Sequence, residues 1–123
     1  MRIKLEDYKW LMDNIKFLEK RLESAEKNIE VYKKLKDFKI YKKIIKPAEE
    51  HRELMIDKLL KAYSKAEEIE SFIETLESKE KQLIRLRYQQ KLSWSEVASV
   101  IDYSESHVKK LHKKIFERAK SNE

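Results

Sequence analysis

Apolar residues at Tyr8, Leu11, Ile15, Leu18, Leu22, Ala25, Ile29 and Tyr32 are separated alternately by three and four positions. That spacing keeps one stripe facing a partner helix, and it predicts a helix from about Leu5 to Leu35. At ~1.5 Å per residue the helix is about 45 Å long. A second seam reads Met55, Leu59, Ala62, Ala66, Ile69, Ile73 and Leu76. Its helix is predicted to start near Pro47, because a proline lacks the N–H that has no partner in a first turn. Glu49 and Glu50 then lie at the positive end of the helix dipole. Two seams joined by a connection predict an antiparallel, coiled-coil-like helical hairpin over residues 1–76.

More apolar residues lie off these seams. Ile3, Trp10, Phe17, Val31 and Phe38 share one heptad position in the first helix, and Ile56, Leu60, Tyr63 and Phe72 are added by the second. One hairpin seam does not bury both sets, and large exposed apolar stripes on a soluble protein mark an interface. The expectation is a homodimer or higher homo-oligomer through the hairpin, with Trp10, Phe17 and Tyr63 in the interface. Packing of the hairpin against the C-terminal part of its own chain is the competing reading. The connection, residues 33–46, holds seven lysines and one acid, Asp37, interleaved with Leu35, Phe38, Ile40, Tyr41, Ile44 and Ile45. It reads as a basic, solvated hairpin tip with some apolar residues docked. Extension of the first helix, a short separate helix and a contact with nucleic acid are the other readings.

The pattern changes after Leu76. A short helix from Lys79 to Gln90 is predicted to bury Leu83, Leu86 and Tyr88. Ser93 with Glu96 three residues later forms a capping box, and Leu92 and Val97 flank it as a hydrophobic staple. The helix that starts there buries Trp94, Val97, Ala98 and Ile101. Asp102 then takes the left-handed turn position that Gly usually fills, at modest cost. Ser104 caps a last helix, with Glu105 at its positive end. Val108, Leu111, Ile115 and Ala119 form its buried face. Two short helices joined by a tight turn, the second basic, predict a helix-turn-helix domain over residues 77–123.

Composition agrees with an all-α chain. Among 123 residues there is no Gly, one Pro and 42% charged residues. Tight sheet turns draw on Gly, Pro, Asn and Asp, so a chain this poor in Gly and Pro points to long helices. The absence of Cys excludes disulfides and thiolate metal sites. No apolar run approaches the ~20 residues that span a bilayer, and the first residues show no signal-peptide pattern. A cytoplasmic location with no membrane partner is the expectation. The net charge of +6 is unevenly placed: residues 79–120 hold 11 bases against 5 acids, and residues 1–78 hold 18 against 17. A basic stretch of this kind is the footprint of a phosphate-binding module. His107 and His112 stand five apart and His51 alone, a spacing that does not suit a metal face on a helix. No serine has a triad context. The chain is therefore expected to be no enzyme and to need no metal or other cofactor.

The segments Leu83 to Tyr88, Leu92 to Ala98 and Tyr103 to Leu111 resemble region four of bacterial sigma factors. A closer resemblance is to small phage- and prophage-encoded regulators of the ArpU/RinA type, carried by Arg87-Tyr88, Trp94, Tyr103-Ser104 and Leu111-His112. The resemblance implies transcriptional control. At the head of the last helix, Glu105, Ser106 and His107 stand where sigma factors carry arginines and a glutamate, which implies a different target sequence. The expected function is sequence-specific binding of double-stranded DNA, with the helix from about Glu105 to Lys120 in the major groove. Glu105, Ser106, Lys109 and Lys110 are expected at base edges. Arg87, Lys91, Ser93, Lys113 and Lys114 are expected at phosphates, Ser93 through its helix N-terminus. A small terminase-like DNA-packaging subunit and a sigma-like protein that binds RNA polymerase are the alternatives.

Overall fold

The computed structural model describes residues 4–121, and Ile3 lies outside them. They are helical, with no strand among them. A short 3-10 turn, Leu5–Asp7, leads into α1, Tyr8–Lys33. The other helices are α2, Tyr41–Glu74, α3, Ser78–Ile84, α4, Trp94–Ile101, and α5, Glu105–Ser121. α3 runs on into a π-helical turn, Arg85–Gln89. The chain divides into two compact units: residues 13–64, and the residues up to Met12 together with those from Lys65 onward.

The unit of residues 13–64 is an antiparallel helical pair. Ile15, Leu18, Ala25 and Ile29 of α1 and Met55, Leu59 and Ala62 of α2 are its buried seam residues. Its direction follows from Tyr63, whose hydroxyl donates to Glu19 Oε2 at 2.8 Å. The second helix begins six residues before Pro47, which lies inside α2. The expected start was wrong because Tyr41, Ile44, Ile45 and Ala48 are half-buried. They continue the three–four spacing upstream of the proline. The helix thus forgoes the bond that a residue 47 N–H would give the Lys43 carbonyl, close enough to its start for apolar contact to offset the loss.

The exposed aromatic residues of this unit do not form one patch. Phe17 and Glu19 are about 200° apart around α1. Tyr63 is hydrogen bonded on the Glu19 side. Phe17 is on the other, under the Arg21 guanidinium at 5.5 Å, and lines a surface depression with Arg21, Asn28 and His51. Phe17 and Tyr63 therefore occupy opposite flanks of the pair.

The other unit packs α5 against α3 and α4. Leu83, Val97, Ile101, Val108 and Ile115 are completely buried in it. Phe72, expected on an exposed stripe, is also buried here. A polar network joins distant parts of the sequence. Arg85 makes a two-pronged ion pair with Glu70, both contacts at 2.9 Å, and also donates to the Tyr8 hydroxyl at 3.2 Å. Tyr8 itself donates to Glu70 and accepts from Gln89. Glu80, a buried carboxylate, takes both contacts from Arg118 Nη1 at 3.1 and 2.9 Å and tethers α3 to α5.

The predicted caps are in place. Ser93 Oγ accepts from the Glu96 N–H and Glu96 Oε1 accepts from the Ser93 N–H, each at 3.1 Å. The Ser93 N–H, with a smaller contribution from the Ser93 hydroxyl, holds the Glu96 carboxyl below its usual pKa. Asp102 has φ 66° and ψ 43°, and Ser104 Oγ accepts from the His107 N–H at 3.1 Å. Replacing Ser93 by Ala should cost about 1 kcal/mol of stability. Replacing Arg85 by Ala should cost about 1.5–3 kcal/mol, because Glu70 and Tyr8 lose a charged donor. Urea denaturation midpoints check both; unchanged midpoints would contradict the assigned bonds.

Candidate nucleic-acid interface

The buried side of α5 fixes what its other side displays. At about 100° per residue, Val108, Ile115 and Ala119 share one face, and all three are buried. Ser106, Lys110 and Lys113 fall opposite them, with Lys109 to one side and Lys114 to the other. All five are exposed. Glu105, Ser106, Lys109, Lys110 and Lys113 line one open depression on this surface. The structure thus brings together the four residues expected at base edges and one of those expected at phosphates. Glu105 and Lys109 are already paired with each other at 3.3 Å. Reading by either must exchange that exposed pair for a contact with the ligand.

The remaining phosphate candidates lie outside that depression. Lys91 is exposed in the connection to α4, with a left-handed φ of 55°. Ser93 spends its hydroxyl and its N–H on the capping box, so an anion at this helix end would meet the next N–H groups of the first turn. Arg87 is largely committed to the protein. Its guanidinium lies 4.1 Å from the centre of the Trp94 ring, and its Nη1 donates to the Leu92 carbonyl at 2.9 Å.

Arg87 belongs to a cluster that sequence reasoning did not assemble. Tyr88 Oη and His112 Nε2 share a 2.5 Å hydrogen bond. The Trp94 ring meets His112 edge-on at 4.7 Å, and Phe116 lies 4.2 Å from the same imidazole. Burial pushes the Tyr88 phenol up to about 12 and lowers the His112 imidazole below its usual value. Both groups are therefore neutral near pH 7. The cluster joins the π-helical turn, the head of α4 and the middle of α5, and so holds the exposed face of α5 in position. A second stack, Tyr103 on His107 at 4.3 Å, fills the turn between α4 and α5. Lys79 reaches this turn as well and donates to the Ile101 carbonyl at 3.0 Å.

With this geometry, residues 72–120 match the family model described as Sigma-70, region 4. The C-terminal helices are a sigma-region-four-like helix-turn-helix. The match covers less than half of the chain and leaves most of the helical pair outside it. No curated protein and no solved structure matches the chain. Within the helix-turn-helix, Arg87, Tyr88, Trp94 and His112 meet in one cluster. Among the described residues, no helix is long and apolar enough to cross a membrane.

The cluster predicts a pH dependence of stability. The His112 pKa is lower in the folded protein than its ordinary 6.5. Between the two values the unfolded chain binds more protons, so stability rises with pH through that window. The contribution is complete above about 6.5, the ordinary histidine value, and is lost as pH falls through the folded value. The urea midpoint should be flat above neutrality and fall below it. In His112→Gln that fall should shrink. A fall of the same size in the variant would contradict the assignment.

Proposed function

We propose that this protein is a sequence-specific DNA-binding transcriptional regulator of the kind encoded by phages and prophages, acting in the cytoplasm and not as an enzyme. The observation that carries the reading is the exposed face of α5: Ser106, Lys110 and Lys113, with Lys109 and Lys114 beside them, on the second helix of a sigma-region-four-like helix-turn-helix. In such a motif the N-terminal part of the second helix enters the major groove. Glu105, Ser106, Lys109 and Lys110 occupy its first two turns and read base edges. Lys113 and Lys114 are further along, where the helix rises to the backbone, and hold phosphates with Lys91 and the N-terminus at Ser93. Arg87 supports this set through Trp94 more than by direct contact.

A lysine on a phosphate releases counterions without reading sequence, whereas a side chain on a base edge discriminates. Lys113→Ala should lower affinity for a selected site and for scrambled DNA alike, and reduce the salt slope by about 0.9 per protomer contact. Lys110→Ala should cost about 1–3 kcal/mol on the selected site and little on scrambled DNA. Equal losses on both DNAs for Lys110→Ala would remove its reading role. Failure of the unaltered protein to bind any duplex at low salt would overturn the function, and capture of RNA polymerase would then become the leading account.

The helical pair is the proposed self-association element. Trp10 and Phe17 are 67% and 55% exposed and seven residues apart on α1, and Tyr63 of α2 is 41% exposed. Phe17 and Tyr63 face opposite flanks, so one two-fold contact uses one flank, and we assign the α1 side to it. Burying each aromatic ring there is worth about 1.5–3 kcal/mol. The double variant Trp10→Ala, Phe17→Ala should therefore dissociate at concentrations where Tyr63→Ala remains associated. A monomer in sedimentation of the unaltered protein at high concentration would contradict the assignment.

A further inference from the structure

The helical pair is strongly segregated in charge. Residues 33–46 carry seven lysines and one acid, whereas the rest of residues 1–78 carry 11 bases against 16 acids. The tip is therefore a compact positive end on an otherwise acidic hairpin. It is also an ordered end. Successive four-residue turns close it, with the Leu35 N–H on the Tyr32 carbonyl at 2.8 Å, Phe38 on Leu35 at 2.9 Å and Tyr41 on Phe38 at 3.1 Å. All seven lysines are exposed, and among the described residues none forms an ion pair.

Lys33, in the last turn of α1, suits the helix dipole, but the lysines at the start of α2 do not. Lys42, Lys43 and Lys46 occupy the first two turns of α2, the positive end of the helix dipole, where cations are disfavoured. They also stand close to one another, and among the described residues none is held in an ion pair. A polyanion outside the chain would relieve both costs. The tip shows only Phe38 and Ile40 as exposed large apolar residues, because Leu35, Tyr41, Ile44 and Ile45 are half-buried. Two such residues are a poor match for a lipid surface, which takes up a broad apolar face, and a good match for a phosphate backbone met mainly by lysine.

We propose that the lysine-rich tip, residues 33–46, is a second phosphate-binding surface that grips the backbone of duplex DNA independently of sequence. The inference rests on the DNA-binding reading of the helix-turn-helix and adds to it a contact that the α5 face does not supply. Each phosphate neutralised by a lysine contributes about 0.9 to the dependence of log affinity on log salt. The tip accordingly steepens the salt dependence of the whole protein and strengthens binding to any sequence.

The test uses the full chain on a long random-sequence duplex across a salt series. Lys39→Gln, Lys42→Gln, Lys43→Gln and Lys46→Gln are combined in one variant, and Lys42→Gln with Lys43→Gln in a second that perturbs the tip less. Both should keep the helical circular dichroism of the unaltered protein and melt at the same temperature or slightly above it. The salt slope should fall by about 0.9 for each contacting lysine removed, so more in the fourfold variant than in the double one. An unchanged slope in both, with a lower slope for Lys113→Ala, would overturn the tip and leave the helix-turn-helix reading standing. No duplex binding by the unaltered protein would overturn both readings. Co-sedimentation with phosphatidylserine vesicles, abolished in the tip variants while their DNA salt slope stays unchanged, would overturn the proposal in favour of a lipid partner.

Discussion

The rotation of α5 about its own axis is the constraint on which the candidate interface depends. A helix can turn a chosen stripe outward only if the opposite stripe is held, and here Val108, Ile115 and Ala119 are buried against a layer that includes Leu83, Val97 and Ile101. Apolar burial is strong but non-directional. It selects the face without setting the height or tilt of the helix. Those are supplied by directional contacts: the Glu80–Arg118 ion pair, the Tyr88–His112 hydrogen bond and the left-handed turn at Asp102. Ser106, Lys110 and Lys113 are exposed as a consequence of this packing, without direct bonds of their own to hold them.

The absence of glycine sharpens this account. A non-glycine residue with positive φ carries a steric cost, and the chain accepts it at Lys91 and Asp102, one on each side of α4. Asp102 is compensated locally, since its own N–H and that of Tyr103 both reach the Ala98 carbonyl. Lys79 covers the Ile101 carbonyl in the same turn. The Ala98 and Ile101 carbonyls at the end of α4 are thus satisfied from within and from α3, and the next helix begins after only three residues.

Much of this was legible in the sequence, for a physical reason. Caps, seams and the turn are local or periodic, and Ser93 with Glu96, Asp102 and Ser104 each announce themselves by residue type and spacing. The start of α2 was misread because proline was given more weight than the apolar spacing of Tyr41, Ile44 and Ala48. The π-helical turn had no local signal, since Gln89, Gln90 and Lys91 are neither helix breakers nor turn formers. Contacts such as Arg85 with Tyr8, or Trp94 with Arg87 and His112, depend on tertiary proximity that no spacing rule carries. For the same reason the sequence does not show that Arg87, expected at a phosphate, also donates to the Leu92 carbonyl and lies over the Trp94 ring. The opposite placement of Phe17 and Tyr63 likewise needed the direction of the pair to be known.

The central claim is that the face of α5 around Ser106 lies against DNA when the protein binds. Because the chain has no cysteine, a single one can carry a DNA-cleaving iron chelate without competing thiols. The measurement is cleavage of a bound duplex by the protein labelled at Ser106→Cys, compared with the cysteine-free unaltered protein treated with the same chelate. The account predicts localised cuts on both strands across one major groove from position 106, and none from the unaltered protein. Intact DNA at position 106, under conditions where the labelled protein is bound, would contradict it.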